Sequence, residues 1–422
     1  MNTDPTDIAI IGGGASGMMA ALTAAQNGCS VHIFERMNRI GKKLLVTGNS
    51  RCNLTNLSVH PEKYHGSTQT FITEVLKQCD VRATLHIFQN LGLAWKADHE
   101  NRVYPVSEQA SSVLDLLRFA LARFQVKVSC SARVTTIEKR NKDFQITLKN
   151  HQRYTAKRLI LAAGGQAMKD LGSNGSGFIL AESVGHQCIP PFPALVKLKL
   201  SNPYARGMKG VRTDACLRLL CEGQTGMTVT GEILFTEDGL SGIPALQISR
   251  SVHQAVEMHK TCQLQIDLLP AYTAEELKTD LGQRFRQLPH LNVEQSLLSI
   301  LKKRLIIPVL KTSGIPHHLS TEEVTEAQIS TLIQVIKCWT FSATGTKSWN
   351  EAQVTAGGVD TADIHPQTME SRIAQGLYFA GEIMDVDGDC GGYNLQWAWS
   401  TGILAGKAAT QSLKKRKTRD SN

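Results

Sequence analysis

Gly12, Gly14 and Gly17 stand in the spacing Gly-x-Gly-x-x-Gly, directly after the apolar run Ile8-Ala9-Ile10-Ile11. A run that is apolar at every position reads as a strand buried on both faces of a parallel sheet. Met18 to Gln26 is rich in small helix formers, and Gly28 stops that helix. A strand, a glycine turn and a helix in this order suit a dinucleotide. Gly12 permits the tight turn, Gly14 lets the backbone approach a pyrophosphate, and Gly17 lets the helix lie close to the strand. The helix start, with Ala15 and Ser16, then presents free N–H groups and a positive dipole end to the phosphates. Ser30 to Phe34 gives the next strand. Glu35 ends it about 20 residues beyond the glycines, where an acid bonds the ribose hydroxyls, and Arg36 follows on the same rim.

Two distant segments separate FAD from NAD. Leu161-Ala162-Ala163-Gly164-Gly165 resembles a strand whose glycine end passes near the nucleotide. Leu377-Tyr378-Phe379-Ala380-Gly381-Glu382 resembles a strand that delivers a carboxylate to the ribityl hydroxyls. Many FAD proteins carry Asp at this last position, and Glu382 is one methylene longer. Three such segments in order favour FAD. A fourth, Gly391-Gly392-Tyr393-Asn394-Leu395, opens a helix. Facing the flavin pyrimidine edge, its N–H groups would stabilise negative charge on the reduced ring. The plainer alternative is a helix start whose glycines serve close packing alone.

The chain also resembles a bacterial family of FAD-dependent oxidoreductases, the HI0933-like flavoproteins, which includes aminoacetone-oxidase-like and bile-acid-inducible members. The likeness covers nearly the whole chain. It rests on Gly41-Lys42-Lys43-Leu44-Leu45, on Arg51-Cys52-Asn53-Leu54-Thr55-Asn56, on Gly239-Leu240-Ser241-Gly242-Ile243-Pro244 and on Asp385 through Ala398. Many members have Gly-Asn-Gly-Arg-Cys-Asn where this chain has Gly48-Asn49-Ser50-Arg51-Cys52-Asn53. The resemblance implies an α/β fold, a Rossmann-like FAD-binding domain of glutathione-reductase type with an inserted β-barrel and a small helical domain. It places the segment from Gly41 to Asn56 beside the flavin ring, so Lys43, Gly48, Arg51, Cys52 and Asn53 join the cofactor set, together with Val134, Ala163, Gly164 and Gly358. Tyr393 is a candidate proton donor. Arg51 suits a substrate carboxylate or a flavin phosphate, or equally a structural acid. Cys52 and Cys390 read as small packing residues before they read as a redox pair, and His317-His318 as a solvated loop before a substrate entrance.

The elements that would position these residues follow from length and pattern. A chain of 422 residues exceeds one ordinary core. The division reads as an FAD domain of residues 1–195 and 351–422, a barrel-like domain of 196–270 and 339–350, and a helical domain of 271–338. Val126–Ile137 and Phe144–Leu148 look like strands, as do Ala215–Leu220 and Gln263–Asp267 in the barrel. Thr273-x-x-Glu276 and Ser320-x-x-Glu323 fit capping boxes at helix starts. Leu297, Leu301 and Leu305 recur at helical spacing, and Ile329, Leu332, Ile333 and Ile336 line one face.

Bulk properties narrow the class. The ten cysteines form no Cys-x-x-Cys pair, which argues against a disulfide framework, a zinc site or a dithiol centre. No run approaches the roughly 18 apolar residues of a membrane span, and the first seven residues lack the pattern of a secretory signal, so a cytoplasmic location is expected. Much of the net charge of +9 lies in Lys414-Lys415-Arg416-Lys417-Thr418-Arg419. This tail reads as a solvated terminus rather than a nucleic-acid arm. Gly172-Ser173-Asn174-Gly175-Ser176-Gly177 does not match a second dinucleotide turn, so no dedicated nicotinamide domain is expected. Electrons would come from a small-molecule substrate, or from NAD(P)H or a partner visiting transiently. The sum is a flavin-dependent oxidoreductase that moves a hydride between FAD and a small organic substrate, by amine or ketone oxidation or by double-bond reduction. The alternative is an FAD-binding sensor without turnover.

Overall fold

The computed structural model describes residues 6–420. Residues 1–5, the end of the chain, and the basic tail's side chains from 416 onward lie outside the described residues. The chain divides into two compact units, Met1–Phe192 with Gln353–Asn422, and Pro193–Ala352.

The first unit is built on one twisted sheet. Its parallel strands run in the order Lys127–Ser129, Val31–Phe34, Thr6–Ile11, Arg153–Leu161. The long strand Arg153–Leu161 serves two neighbours. Its end, Leu159 to Leu161, pairs parallel with Leu377–Phe379. Its start, Arg153 to Ala156, pairs antiparallel with Asp143–Leu148, which in turn carries Val134–Arg140. The stretch from Val126 to Ile137, read as β structure, holds parts of two strands. Lys127–Ser129 extends the parallel edge, and Val134–Arg140 belongs to the antiparallel meander. Ser131, in left-handed conformation at φ 54°, turns the chain between them.

Ile8, Ile10, Ile33, Leu159, Ile160 and Phe379 are fully buried, as expected of a sheet covered on both faces. One covering layer pairs Ala15–Gln26 with the C-terminal helix Tyr393–Asp420. Their backbones approach closely, because a Cβ on Gly402 would stand 2.5 Å from the Ser16 carbonyl oxygen, and one on Gly406 would stand 2.5 Å from that of Ala20.

In the second unit six antiparallel strands close a barrel, in the order Leu198–Ser201, Gly239–Ser241, Gln224–Phe235, Arg212–Cys221, Cys262–Asp267, Trp339–Thr346. Gly239-Leu240-Ser241-Gly242-Ile243-Pro244 forms a barrel corner. A Cβ on Gly239 would meet the Leu198 carbonyl at 1.9 Å. Helices Ala274–Gln287, Lys303–Thr312 and Glu326–Lys337 share a core with the barrel.

Two helical expectations need correction. Leu297, Leu301 and Leu305 are buried but not on one helix. A box of Asn292 and Gln295 starts a single turn, Val293–Ser296, and the next helix begins at Lys303. Ser320 and Glu323 do form a capping box, but it caps one 3-10 turn. The long helix starts at a second box, Thr325 and Gln328.

Buried in the first sheet, His32 packs on Phe34 at 4.0 Å and its Nε2 meets the Ser129 hydroxyl at 2.8 Å. Burial, reinforced by Lys127, pulls its pKa from 6.5 down to about 4. Between those values the unfolded chain binds the extra proton and the folded one does not. Stability is therefore full above about pH 6.5 and falls as pH drops towards 4, by about 3 kcal/mol from this residue. Chemical denaturation across that window should show the slope, and His32→Thr should flatten it.

Candidate active site

The register aligns four strand ends. Ile11 pairs with both Phe34 and Leu161, and Leu161 pairs with Phe379. Gly12, Glu35, Ala162 and Ala380 therefore leave the sheet at one level, at the carboxyl edge where open α/β sheets bind ligands.

The three glycines of the first turn differ in what surrounds them. Gly12 has φ 107°, and a Cβ there would meet the Ala162 carbonyl oxygen at 2.3 Å. On Gly17 it would meet the Gly12 carbonyl oxygen at 2.0 Å. These two are absent of side chain because backbones touch. A Cβ on Gly14 would meet nothing within 4 Å. Gly14 also precedes the helix Ala15–Gln26 with no side-chain cap on its free N–H groups. The turn thus offers an open, donor-lined cradle for an anion.

Two carboxylates flank it. Glu35, 8% exposed, accepts from the Gly13 N–H and the Met37 N–H at 2.7 Å each. Arg36 donates to the Gly172 carbonyl at 3.1 Å, bringing Gly172 beside Glu35. Gly172 follows a 3-10 turn, and Gly175 precedes the short helix Ser176–Glu182. Val134 follows a segment whose Ala132 N–H bonds the Glu35 carbonyl. Glu382 accepts from the Thr355 N–H at 2.8 Å and from Lys43 at 2.7 Å, so Lys43 and Glu382 meet across 339 residues of sequence. Gly381 is fixed by the Thr401 hydroxyl, and Ser16 bonds the Ala380 carbonyl. Gly164 lies against Ser173, and Gly358 against the backbone of Ile383 and Met384.

The segment from Gly48 to Asn56 converges with strand Arg102–Pro105 and with the start of the C-terminal helix. Gly48, Asn49, Ser50 and Cys52 all have left-handed φ, from 55° to 64°. Thr55 pairs with Val103 and Asn56 with Arg102. The Asn56 amide donates to the Gly391 carbonyl at 3.1 Å. Oriented to satisfy both its ends, the Asn53 amide accepts from the Gly392 N–H at 3.0 Å and donates to the Thr55 carbonyl at 3.0 Å. A Cβ on Gly392 would stand 2.5 Å from the Thr55 backbone, so this glycine does serve close packing. Asn394 closes the loop by bonding Gly388 from both ends of its amide, and Leu395 packs on the core from the first turn.

Arg51 stacks over the Tyr104 ring at 4.6 Å and donates to the Gly48 carbonyl. Among the described residues it makes no ion pair, and the one carboxylate that its charge is seen to lower, Glu108, is already paired with Lys96. Tyr104 and Tyr393 are 6% and 7% exposed, and burial raises both phenols. Asp389 adds to the effect at Tyr393. Burial pushes Cys52 up to about 12 and Cys390 up to about 11. Both thiols are free and protonated at neutral pH. His317 and His318 are exposed in the second unit.

Tyr104 and Gln396 carry weight that spacing did not reveal. Gln396 is wholly buried, accepts from Thr55 at 2.6 Å and donates to Thr84 and Ser400. It pins the Arg51 segment to the C-terminal helix.

The chain matches the family model described as HI0933-like protein Rossmann domain over residues 6–408. It belongs to that family. The 3-dehydro-bile acid delta(4,6)-reductase of Clostridium scindens is 43% identical over 407 residues, 96% of this chain and 99% of that one. The ribosomal RNA dihydrouridine synthase of Haemophilus influenzae is 30% identical over 397 residues, 93% of this chain and 95% of that one. A 3-ketosteroid delta1-dehydrogenase from Sterolibacterium denitrificans shares the fold, with a TM-score of 0.52 at 12% identity over 97% of this chain and all of that one. This HI0933-like protein is accordingly a flavin-dependent oxidoreductase, and the open cradle at Gly14 fits its cofactor. No helix of the described residues is long and apolar enough to cross a membrane.

Two outcomes follow for the family member in hand. Gly14→Val should fold normally, since its side chain meets no protein atom, yet purify without flavin absorbance. Folded yellow protein would contradict the cradle. Ser50→Gly removes left-handed strain but adds unfolded-state entropy, so a net gain of about 0.5–1 kcal/mol is expected, read as a higher thermal midpoint.

Proposed function

We propose that the chain holds FAD and reduces a carbon–carbon double bond conjugated to a carbonyl group. Bound FAD, once reduced by a separate electron donor, would supply the hydride and be left oxidised. The Gly12–Gly17 turn would hold the pyrophosphate and Glu35 the ribose hydroxyls. Glu382, oriented by Lys43 and Thr355, has lone pairs left for the ribityl chain. The N-terminus of the C-terminal helix supplies N–H donors to the pyrimidine edge.

The observation that carries the reading is the half-buried Arg51 guanidinium without an acid partner, stacked on Tyr104. When a hydride reaches the far carbon of an enone, negative charge collects on the carbonyl oxygen. A fixed cation that is not already neutralised can stabilise it. Tyr393 retains its proton well beyond neutral pH and can deliver it to the other carbon. The names of the curated relatives support this chemistry. One is named as a delta(4,6)-reductase of 3-dehydro bile acids, the other as a synthase of dihydrouridine in ribosomal RNA, and in each substrate the reduced unsaturation is conjugated to a carbonyl.

The net charge of +9 and the two ribosomal RNA relatives, at 30% and 31% identity, favour a second substrate reading, a uracil base in RNA. Salt-dependent RNA binding and dihydrouridine formed in ribosomal RNA would select it over a free enone.

Anaerobically prereduced enzyme should be reoxidised by a steroid dienone. Arg51→Gln should slow that step about 100-fold or more, and Tyr393→Phe by a similar factor. Because the Tyr393 shift is upward from an ordinary value of 10, the wild-type rate should stay flat from neutral pH to about 10 and fall only above it. Reduction of the oxidised enzyme by amines, with no reoxidation by any enone or RNA uracil, would overturn the proposal.

A further inference from the structure

The barrel carries a pair of thiols that the flavin chemistry does not use. Cys221 ends the strand Arg212–Cys221 and Cys262 begins Cys262–Asp267. They stand directly opposite in the antiparallel ladder, with their sulfurs 3.1 Å apart. Both are free. The ladder continues on one side through Leu220 and Gln263. On the other, the Glu222 N–H bonds the Thr261 carbonyl at 3.0 Å, while the Glu222 carboxylate accepts from the Thr261 hydroxyl at 3.0 Å. The backbone is thus clamped on both flanks. A disulfide needs its sulfurs about 2.05 Å apart, so the two sulfurs, already opposite in the ladder, have about 1 Å left to close.

The two thiols are not equivalent. Cys262 is 5% exposed, whereas Cys221 is half-buried and reachable from solvent. Burial, with the neighbouring sulfur, also disfavours the Cys262 thiolate. Cys221 is therefore the sulfur that meets an oxidant, and Cys262 the one that resolves it.

We propose that Cys221 and Cys262 are a reversible redox modification site of the barrel, reduced at rest and closed by a hydroperoxide. The Cys221 sulfur attacks the peroxide O–O bond, becomes a sulfenic acid and releases water. The Cys262 sulfur then displaces the sulfenic oxygen as a second water, forming the S–S bond. Two thiols and one hydrogen peroxide give one disulfide and two waters. The sulfurs together lose two electrons and the peroxide gains them. The bond closes a loop between residues 41 apart, which holds the strands Gln224–Phe235 and Gly239–Ser241 and the helix Ile243–Glu257. Cross-linking a loop of this length stabilises the unit that contains it.

Reduced holoprotein is treated with stoichiometric hydrogen peroxide, alkylated, digested and mapped by mass spectrometry. The expected result is one linked peptide pair joining Cys221 to Cys262, two hydrogens lighter than the free thiols and separated again by dithiothreitol. The thermal midpoint should rise by several degrees on oxidation, and neither Cys221→Ser nor Cys262→Ser should show the rise. Both thiols alkylated after peroxide, Cys221 carried to sulfinic acid without a link, or a link to another cysteine would each overturn the proposal. The wild-type map decides the matter even if a variant fails to fold.

Discussion

Backbone-to-backbone contact between elements far apart in sequence is the constraint on which the flavin unit depends. Gly12 and Gly17 let the first turn touch the Ala162 backbone, just past strand Arg153–Leu161, and itself, with prospective Cβ contacts of 2.3 and 2.0 Å. Gly402 and Gly406 let the C-terminal helix lie on the Ser16 and Ala20 carbonyls at 2.5 Å. A methyl group at any of these positions would force the helices off the sheet. The carboxyl ends of four strands would then no longer share one level, and Glu35 and Glu382 would not face the same cradle. Gly14 differs from these glycines, since it is open to ligand and not pressed by protein.

That distinction explains how much was legible in the residues alone. The spacing of Gly12, Gly14, Gly17 and Glu35 is local, so one strand and one helix display it whole. The two further strands ending at Leu161 and Phe379 and the helix starting at Tyr393 carry their own glycines and could be read singly. The Lys43–Glu382 pair could not, because no local pattern links residues 339 apart. Tyr104 sits in a short strand of ordinary composition, and Gln396 looks like any polar residue of a helix. Their weight comes from what the fold brings against them. Within the helical region, the i+4 leucines marked burial correctly at Leu297, Leu301 and Leu305. Burial outlasted the helix there, since a chain can keep a face inward through a break at residues 297–302.

At the loop from Gly48 to Cys52 the backbone departs from what its side chains prefer. Ser50 stands at φ 64° and Cys52 at 60°, conformations that non-glycine residues adopt at a cost. The surroundings over-determine them. Asn53 is bonded to Gly392, Asn56 to Gly391 and Thr55 to Gln396. The result is an arginine raised on a stiff loop, stacked on Tyr104 rather than paired with an acid. A cation held in this way loses little freedom when it meets a developing negative charge, which is the condition for electrostatic preorganisation.

The two units differ in how they are written along the chain, and this has a consequence for synthesis. Pro193–Ala352 is continuous, whereas the flavin unit needs Gln353–Asn422 to join Met1–Phe192. As the polypeptide leaves the ribosome at roughly 5–20 residues per second, the barrel has all of its strands before strand Leu377–Phe379 and the helix Tyr393–Asp420 exist. The nascent first segment therefore waits with Leu159 to Leu161 unpaired on one flank and the Ser16 face of its first helix bare. Such surfaces are templates for wrong pairing, so the interval between translating Phe192 and translating the last helix is when this chain is most exposed to misassembly.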